Sequence, residues 1–369
     1  MKMFRPEFVD EFQCIAERCS YTCCSGWDVI IDCDTYNNNK QLYEDIERDC
    51  FFDAEDGEHF IKMREKAVCP FLNEKGLCKI VMEHGEDALS HTCKIFPRMI
   101  MGSYDEVLEY SVDNGCPAVL DLLRRFQTPI KFNLDAPNDD EIVDFKYSDE
   151  KVEHLIYRNQ MIDLLQIPNM PLWARLYLIY DFSTQLENFN HPEILQKYND
   201  VQWLNDKCSQ LSFVNADFGT KFMLYRMLFD LYYKYENQGY DMYIVKLKEF
   251  CNGLCADDLL PDWKEFEKIW EKESGFIENF CVNSVFVQSL DGEPQKNILI
   301  LLFEVIQMRF VLFLWWLYCG KTLSDTDMLN IVCYYARAAG HGRGKIYQWL
   351  NMNRDYDIMK KGAVLVMLK

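Results

Sequence analysis

Apolar residues fall into two regimes along the chain. From residue 151 onward they recur at three- and four-residue spacing through long stretches, whereas before it they come in short runs broken by Cys, Gly and Pro. In the second regime, Lys151 to Gln166 sets Leu155, Ile162 and Leu165 at helical offsets, and Pro168 and Pro171 close that helix. Leu172 to Asn188 is the next helix, and Pro192 opens another, since proline suits a first helical turn. Phe218 to Lys234, Tyr240 to Phe250 and Asp262 to Leu290 continue the series, with Gly239 and Pro261 as breaks. The pattern predicts roughly nine or ten helices and shows no fixed-period repeat.

Asn297 to Cys319 is the most apolar segment and is long enough to cross a bilayer. Glu304, Gln307 and Arg309 stand near its middle, where an ionised group costs at least ~2.5 kcal/mol in lipid. The segment is therefore expected as the central helix of a bundle, without stable membrane insertion. Its charged residues are expected to find buried partners or to line a polar cavity. Gly340-His-Gly-Arg-Gly344 follows a helix rather than a strand, so it reads as a helix–helix turn and not a phosphate loop.

The first regime, residues 1–126, carries weaker signals. Trp27 to Asp32 reads as a short strand and Tyr36 to Arg48 as a helix with Leu42, Tyr43 and Ile46 on one face. Arg98 to Met101 and Glu106 to Val112 flank Gly102–Asp105 as a hairpin. Residues 127–150 hold Pro129, Pro137 and an acidic run and read as a linker. The expected fold class is mainly α: a small irregular α+β cysteine-rich metal-cluster unit (1–126), the linker, and a multi-helix body (151–369).

Charge and cysteine content change the picture. A net charge of −20 argues against binding phosphate backbones, so no nucleic-acid partner is expected, and it suits a lysine-bearing protein partner. Met1 to Phe12 shows no apolar run followed by small residues, hence no secretory signal, which predicts a cytoplasmic chain. Disulfides do not persist there, so spaced cysteines read as metal ligands. Ten of the 16 cysteines lie between Cys14 and Cys116: Cys14, Cys19, Cys23 and Cys24 before Gly26-Trp27; Cys69-Pro-Phe-Leu72; Gly76-Leu-Cys78; Leu89-Ser-His-Thr-Cys93-Lys-Ile-Phe-Pro-Arg98; and Cys116-Pro117. Structural zinc favours C-x2-C pairs, which this chain lacks, and the adjacent Cys23 and Cys24 rarely reach one ion. An iron–sulfur cube accepts thiolates from scattered segments, but the C-x3-C-x2-C radical signature is absent. Spacing leans toward iron–sulfur and leaves zinc open. Cys33 and Cys50, and Cys251-x3-Cys255 in the body, read as ordinary thiols, and His84 and His91 as loop histidines.

The ordered pieces C-x4-C-x3-CC-x-G-W, CPFL, G-L-C, L-S-x-T-C-x-x-F-P-R and C-P resemble the flagellin lysine N-methylase family. Cys19, Cys23, Cys24, Cys69, Cys78 and Cys93 are also similar to a broader zinc- or iron-chelating module, while Cys14 and Cys116 fit the methylase pattern more narrowly. Arg158-Asn159 through Leu164-Leu-Gln166, Leu172, Arg175-Leu176, and Tyr335-Ala-Arg337 with His341 extend the likeness, which departs where Gly340 replaces an expected acidic residue. The resemblance implies a protein lysine N-methyltransferase using S-adenosylmethionine, a 4Fe–4S cluster held by four thiolates drawn from the eight motif cysteines without a choice among them, flagellin as substrate, and an electron donor as a possible partner. The rival class is a non-catalytic zinc- or iron-chelating or redox-sensing module that binds a protein. No donor-binding motif is legible, and Glu109, Tyr110 and Glu304 stand as candidate general bases without a choice among them.

Overall fold

The structure is a computed structural model. It describes residues 2–19, 21–25, 29–54, 57–65, 68–126, 129–135, 146–186, 192–235, 242–287, 294–352 and 360–369; over 338–345 and at 192, 235, 242 and 347 it describes the backbone path alone.

Two cores organise these residues. The small one gathers Val29, Ile31, Tyr43, Cys50, Ile61, Cys69, Phe71, Ile80 and Ala88. Around it lie β2 (Ile30–Ile31), β3 (Phe51–Asp53) and β4 (His59–Ile61), an antiparallel sheet in the order β2-β4-β3, with helices α1 (Cys33–Ile46), α2 (Lys79–His84) and α3 (His91–Ile95). Asp32 caps α1 by accepting from the Thr35 N–H (2.8 Å), and its other oxygen accepts from the His91 N–H (2.8 Å). One carboxylate therefore fixes the starts of two helices, since first-turn N–H groups have no partner within their own helix. Tyr43 ties α1 to the segment before α3 by donating to the Ala88 carbonyl (2.7 Å).

The second core joins everything else. β1 (Lys2–Pro6) pairs in parallel with β6 (Val107–Val112) and antiparallel with β7 (Phe132–Asp135), and β5 (Arg98–Tyr104) forms a hairpin with β6, giving the order β5-β6-β1-β7. The hairpin turns at Asp105–Glu106, later than the turn expected from the sequence, because the strand continues past a bulge between Ile100 and Gly102. Phe132–Asp135, inside the stretch read as a linker, is thus a strand; Phe132 stacks on Phe4 across the ladder (5.4 Å). Residues 136–145 of that stretch lie outside the described residues. Phe8, Val9, Phe12, Val112 and the inward residues of α4 (Pro117–Arg125) belong to the same core as the helices.

The body runs α5 (Asp149–Leu165), α6 (Leu172–Ser183), α7 (Pro192–Tyr198), α8 (Val201–Ser212), α9 (Phe218–Tyr235), α10 (Met242–Asn252), α11 (Ala256–Lys272), α12 (Ser274–Val287), α13 (Pro294–Tyr318), α14 (Asp325–Met352) and α15 (Lys361–Leu368). The mainly α class with a small α+β unit is therefore what the chain adopts. Three local readings change. The stretch read as one helix from Asp262 is two, α11 and α12, which part at Glu273. Pro261 lies inside α11 rather than ending a helix; it is exposed, so water can satisfy the carbonyl its missing N–H leaves open. Gly340–Gly344 lies within α14 and is no turn. Buried Ile331, Val332 and Tyr335 before it, and Ile346, Trp349 and Leu350 after it, keep the helix on the core although each glycine costs about 1 kcal/mol.

α13 is the one helix among the described residues long and apolar enough to cross a membrane, and its most apolar window is wholly buried inside the body. It touches α6, α9, α10, α11, α12, α14 and α15. Arg309 on it meets Glu267 of α11 (Nε–Oε1 3.0 Å) and donates to the carbonyl of Leu368 (2.9 Å), so its charge is compensated rather than left in a cavity.

Candidate metal centre

Short backbone links bring the cysteines of the lobe together. The Cys69 N–H donates to the Cys24 carbonyl (2.8 Å), and an isolated bridge pairs Ser25 with Val68. A bridge between Leu72 and Cys78 closes the turn at Asn73–Leu77, where the Asn73 side chain accepts from the Lys75 and Leu77 N–H groups. Cys93 sits in the first turn of α3, its N–H donating to the capping Ser90 hydroxyl (3.2 Å). Cys24, Cys78 and Cys93 all pack on the small core that Cys69 belongs to.

The thiols sense one another. Burial, then the neighbouring Cys93, Cys78 and Cys23, push the Cys69 thiol up to about 12. Burial, then Cys78 and Cys23 against the Ser90 hydroxyl, carry Cys93 to about 11. Cys23 is raised by its hydrogen bond with Cys24 and by burial. A second group overlaps the first: Cys19 is raised by burial and has Cys23, Cys14 and Arg337 as neighbours, and Cys116 is pushed to about 12 by burial with Cys19 and Cys23 nearby. Cys14 is exposed. Among the described residues no three His, Cys, Asp or Glu side chains converge closely enough to hold an ion. The donor set nonetheless fits a thiophilic metal in kind: the thiols of Cys69 and Cys93 have Cys78 and Cys23 as neighbours, and burial keeps Cys69 and Cys93 protonated until a cation displaces the protons.

Two helices of the body hold the Cys116 turn. On α12, Asn283 donates to the Val112 carbonyl (2.8 Å) and to Asn114 Oδ1 (2.7 Å), and accepts from the Ser111 hydroxyl (2.7 Å). Asn114 donates to Ser284 Oγ (2.9 Å) and the Phe280 carbonyl (3.0 Å), and Asn279 holds the end of α4 through the Leu123 and Phe126 carbonyls. On α14, Cys333 and Arg337 both donate to the Gly115 carbonyl (3.0 and 2.8 Å). Sequence reading missed Cys333 and the α12 asparagines. Nothing marks a buried asparagine in an apolar helix until its strand partner is known. Arg337 was legible only through the Tyr335-Ala-Arg337 resemblance.

The two carboxylate candidates sit in different surroundings. Glu109 is fully buried and clamped by Arg158 (Nη1–Oε2 2.6 Å, Nη2–Oε1 2.7 Å) and by the Tyr147 hydroxyl (2.9 Å). It is a structural anion, not a base facing a substrate. Glu304 is buried in the middle of α13, away from any protein surface a substrate could reach. His341 falls in the part of α14 where only the backbone is described, and Gly26-Trp27 lies outside the described residues.

A thiol-bearing α+β lobe is thus joined to a helical body whose α12 and α14 grip the turn before Cys116. The model of the FliB lysine N-methylase C-terminal domain matches residues 158–366, from Arg158 on α5 into α15. The chain belongs to that lysine N-methylase family. It is 30% identical over 122 residues to the flagellar biosynthetic protein FliU of Salmonella muenchen, covering 31% of this chain and 72% of that protein. The same identity over the same length relates it to the lysine-N-methylases of Salmonella typhimurium and Salmonella choleraesuis, where the match spans 30% of each relative. No solved structure matches the chain.

Proposed function

We propose that the chain, a protein-lysine N-methyltransferase by family, transfers methyl groups from S-adenosylmethionine to lysines of flagellin, and that its lobe carries a 4Fe–4S cluster. The family match over the body carries the reaction class. The flagellar name of FliU and the lysine-N-methylase names of the other relatives support the substrate. In the transfer, the neutral lysine amine attacks the methyl carbon of the sulfonium. The carbon–sulfur bond breaks with its electron pair left on sulfur, and the amine proton passes to a base or water. A body held by a packed core supplies what such a displacement needs most, a fixed approach of two reactants.

Cys23, Cys69, Cys78 and Cys93 would hold the cluster, with Cys14, Cys19, Cys24 and Cys116 beside them. Bound there, it would supply thiolate cross-links between the loops of the lobe and an electron-transfer centre. The lobe's own residues set the stage: Asp32 and Ser90 orient α3, and the Cys24–Cys69 link brings two cysteine segments side by side.

The test incubates anaerobically purified protein with donor and flagellin from the same organism, and reads methyl increments on lysine by mass spectrometry. Metal, sulfide and absorption are measured on the same sample. Methylated lysines with iron and sulfide present are expected. Unmodified flagellin with cluster-loaded protein, with and without reductant, rejects the substrate, and active protein holding only zinc rejects the cluster.

A further inference from the structure

Arg337 is nine-tenths buried, and the hydrogen bonds described for it all go to main-chain carbonyls: Gly115 (2.8 Å), Tyr21 (2.8 Å), Thr22 (2.9 Å) and Ser25 (3.3 Å). Its guanidinium also lies over the Tyr21 ring at 4.5 Å. One side chain of the body therefore grips both sides of the Cys23–Cys24 pair and the residue before Cys116. Four residues earlier on the same helix face, Cys333 donates to the same Gly115 carbonyl. Gly115 makes the grip possible: a Cβ there would stand 3.1 Å from Arg337 Cγ and 3.0 Å from Asp113 Oδ1. Carbonyls satisfy the guanidinium's donors without cancelling its charge. Around it stand the Cys333, Cys23 and Cys116 thiols and the Tyr21 side chain.

We infer that Arg337 and Cys333 of α14 form a latch that positions the Cys19, Cys23, Cys24 and Cys116 segments against the helical body and sets a positive charge beside Cys23, one of the thiols assigned above to the cluster. The latch itself stands on hydrogen bonds and is independent of the metal; only its role toward a cluster rests on the reading above. Thiolate-ligated clusters carry net negative charge, and charges and hydrogen bonds near the sulfurs set their potential. The same contact links the lobe to the helix that crosses the body beside α13.

Two arms test this on the intact chain. In the first, the protein as purified is alkylated beside its variant and each cysteine's rate is read by mass spectrometry. Lys at position 337 keeps the charge but lacks the fork that reaches separate carbonyls. Arg337→Lys should raise the rates at Cys19, Cys24 and Cys116 at least about tenfold, the factor that loss of one charge-assisted hydrogen bond corresponds to. Cys69, on the small core, should keep its rate. Gly115→Ala, which crowds the arginine stem, should act in the same direction and serves if Arg337→Lys fails to fold. Unchanged rates in a folded variant overturn the latch. In the second arm, protein reconstituted with iron and sulfide is titrated by potential. Arg337→Gln should lower the midpoint potential and Arg337→Lys should partly restore it. Equal potentials overturn the role toward the cluster. A wild-type chain that takes up no cluster removes the metal reading and that role with it, while the alkylation arm still decides the latch.

Discussion

The side chains with most at stake are charged and buried. Glu109 and Arg158 face each other buried from solvent, and Arg158 also lies over the Phe286 ring at 4.7 Å. Removing one partner strands the other charge, so Glu109→Gln should destabilise the chain by about 3–5 kcal/mol in denaturant unfolding. Replacing both residues with apolar ones should cost less. Gly102 protects this pair from a distance. Its φ of +147° suits glycine, and a Cβ there would overlap the Tyr147 ring at 2.1–2.8 Å. Tyr147 could then no longer reach Glu109. Asp181 gives a pH signature. Burial pushes its carboxyl up, but Lys361 (2.8 Å) and Tyr198 (2.9 Å), with Lys207 farther off, outweigh burial and hold it below the usual range. Its folded value therefore lies below the unfolded value of about 4. Its contribution is complete above that pH and is lost as pH falls through the folded value. Asp181→Asn should cost stability at neutral pH and flatten the acid limb of a melting-temperature profile below about pH 4; an unchanged limb would show that Asp181 carries none of it.

At the scale of elements, α13 and α12 show what an apolar helix can hide. α13 is apolar all round because seven helices surround it, so its sequence carries no face to read. Phe310 on it meets Phe222, Tyr225 and Phe229 of α9. Phe310→Ala should cost about 3–5 kcal/mol, read from the denaturation midpoint. α12 carries Asn279, Asn283 and Ser284 among apolar residues. Asn283 and Ser284 are hydrogen-bond partners of the β6–α4 connection, and Asn279 of the end of α4. Asn283→Leu, close in size but unable to accept from Ser111 or donate to Val112, leaves buried polar groups unpaired and should cost about 1–3 kcal/mol for each.

Across the whole molecule, the two cores differ greatly in size, and the lobe's core is built in part from cysteines. Metal removal should therefore act unevenly. After chelation, hydrogen exchange should rise through residues 29–95, while α5, α6, α12 and α13 keep their protection. Uniform loss of protection would mean that the lobe and the body unfold as one unit.

How much of this was legible in the sequence follows from the range of the interactions. Helical spacing and proline placement are local, so the body, its helix starts at Leu172, Pro192 and Phe218, and the burial of α13 could be read from the residues alone. The cysteine motifs, ordered along the chain, carried the family likeness that the match over residues 158–366 supports. Pairing is not local. That Lys2–Pro6 lies between strands about a hundred residues away, that Glu109 belongs to Arg158, and that α14 reaches over to Gly115 and Thr22 all depend on contacts between distant segments. No periodicity encodes such contacts, because each side chain's partner is chosen by how the layers pack, and only the tertiary structure decides that.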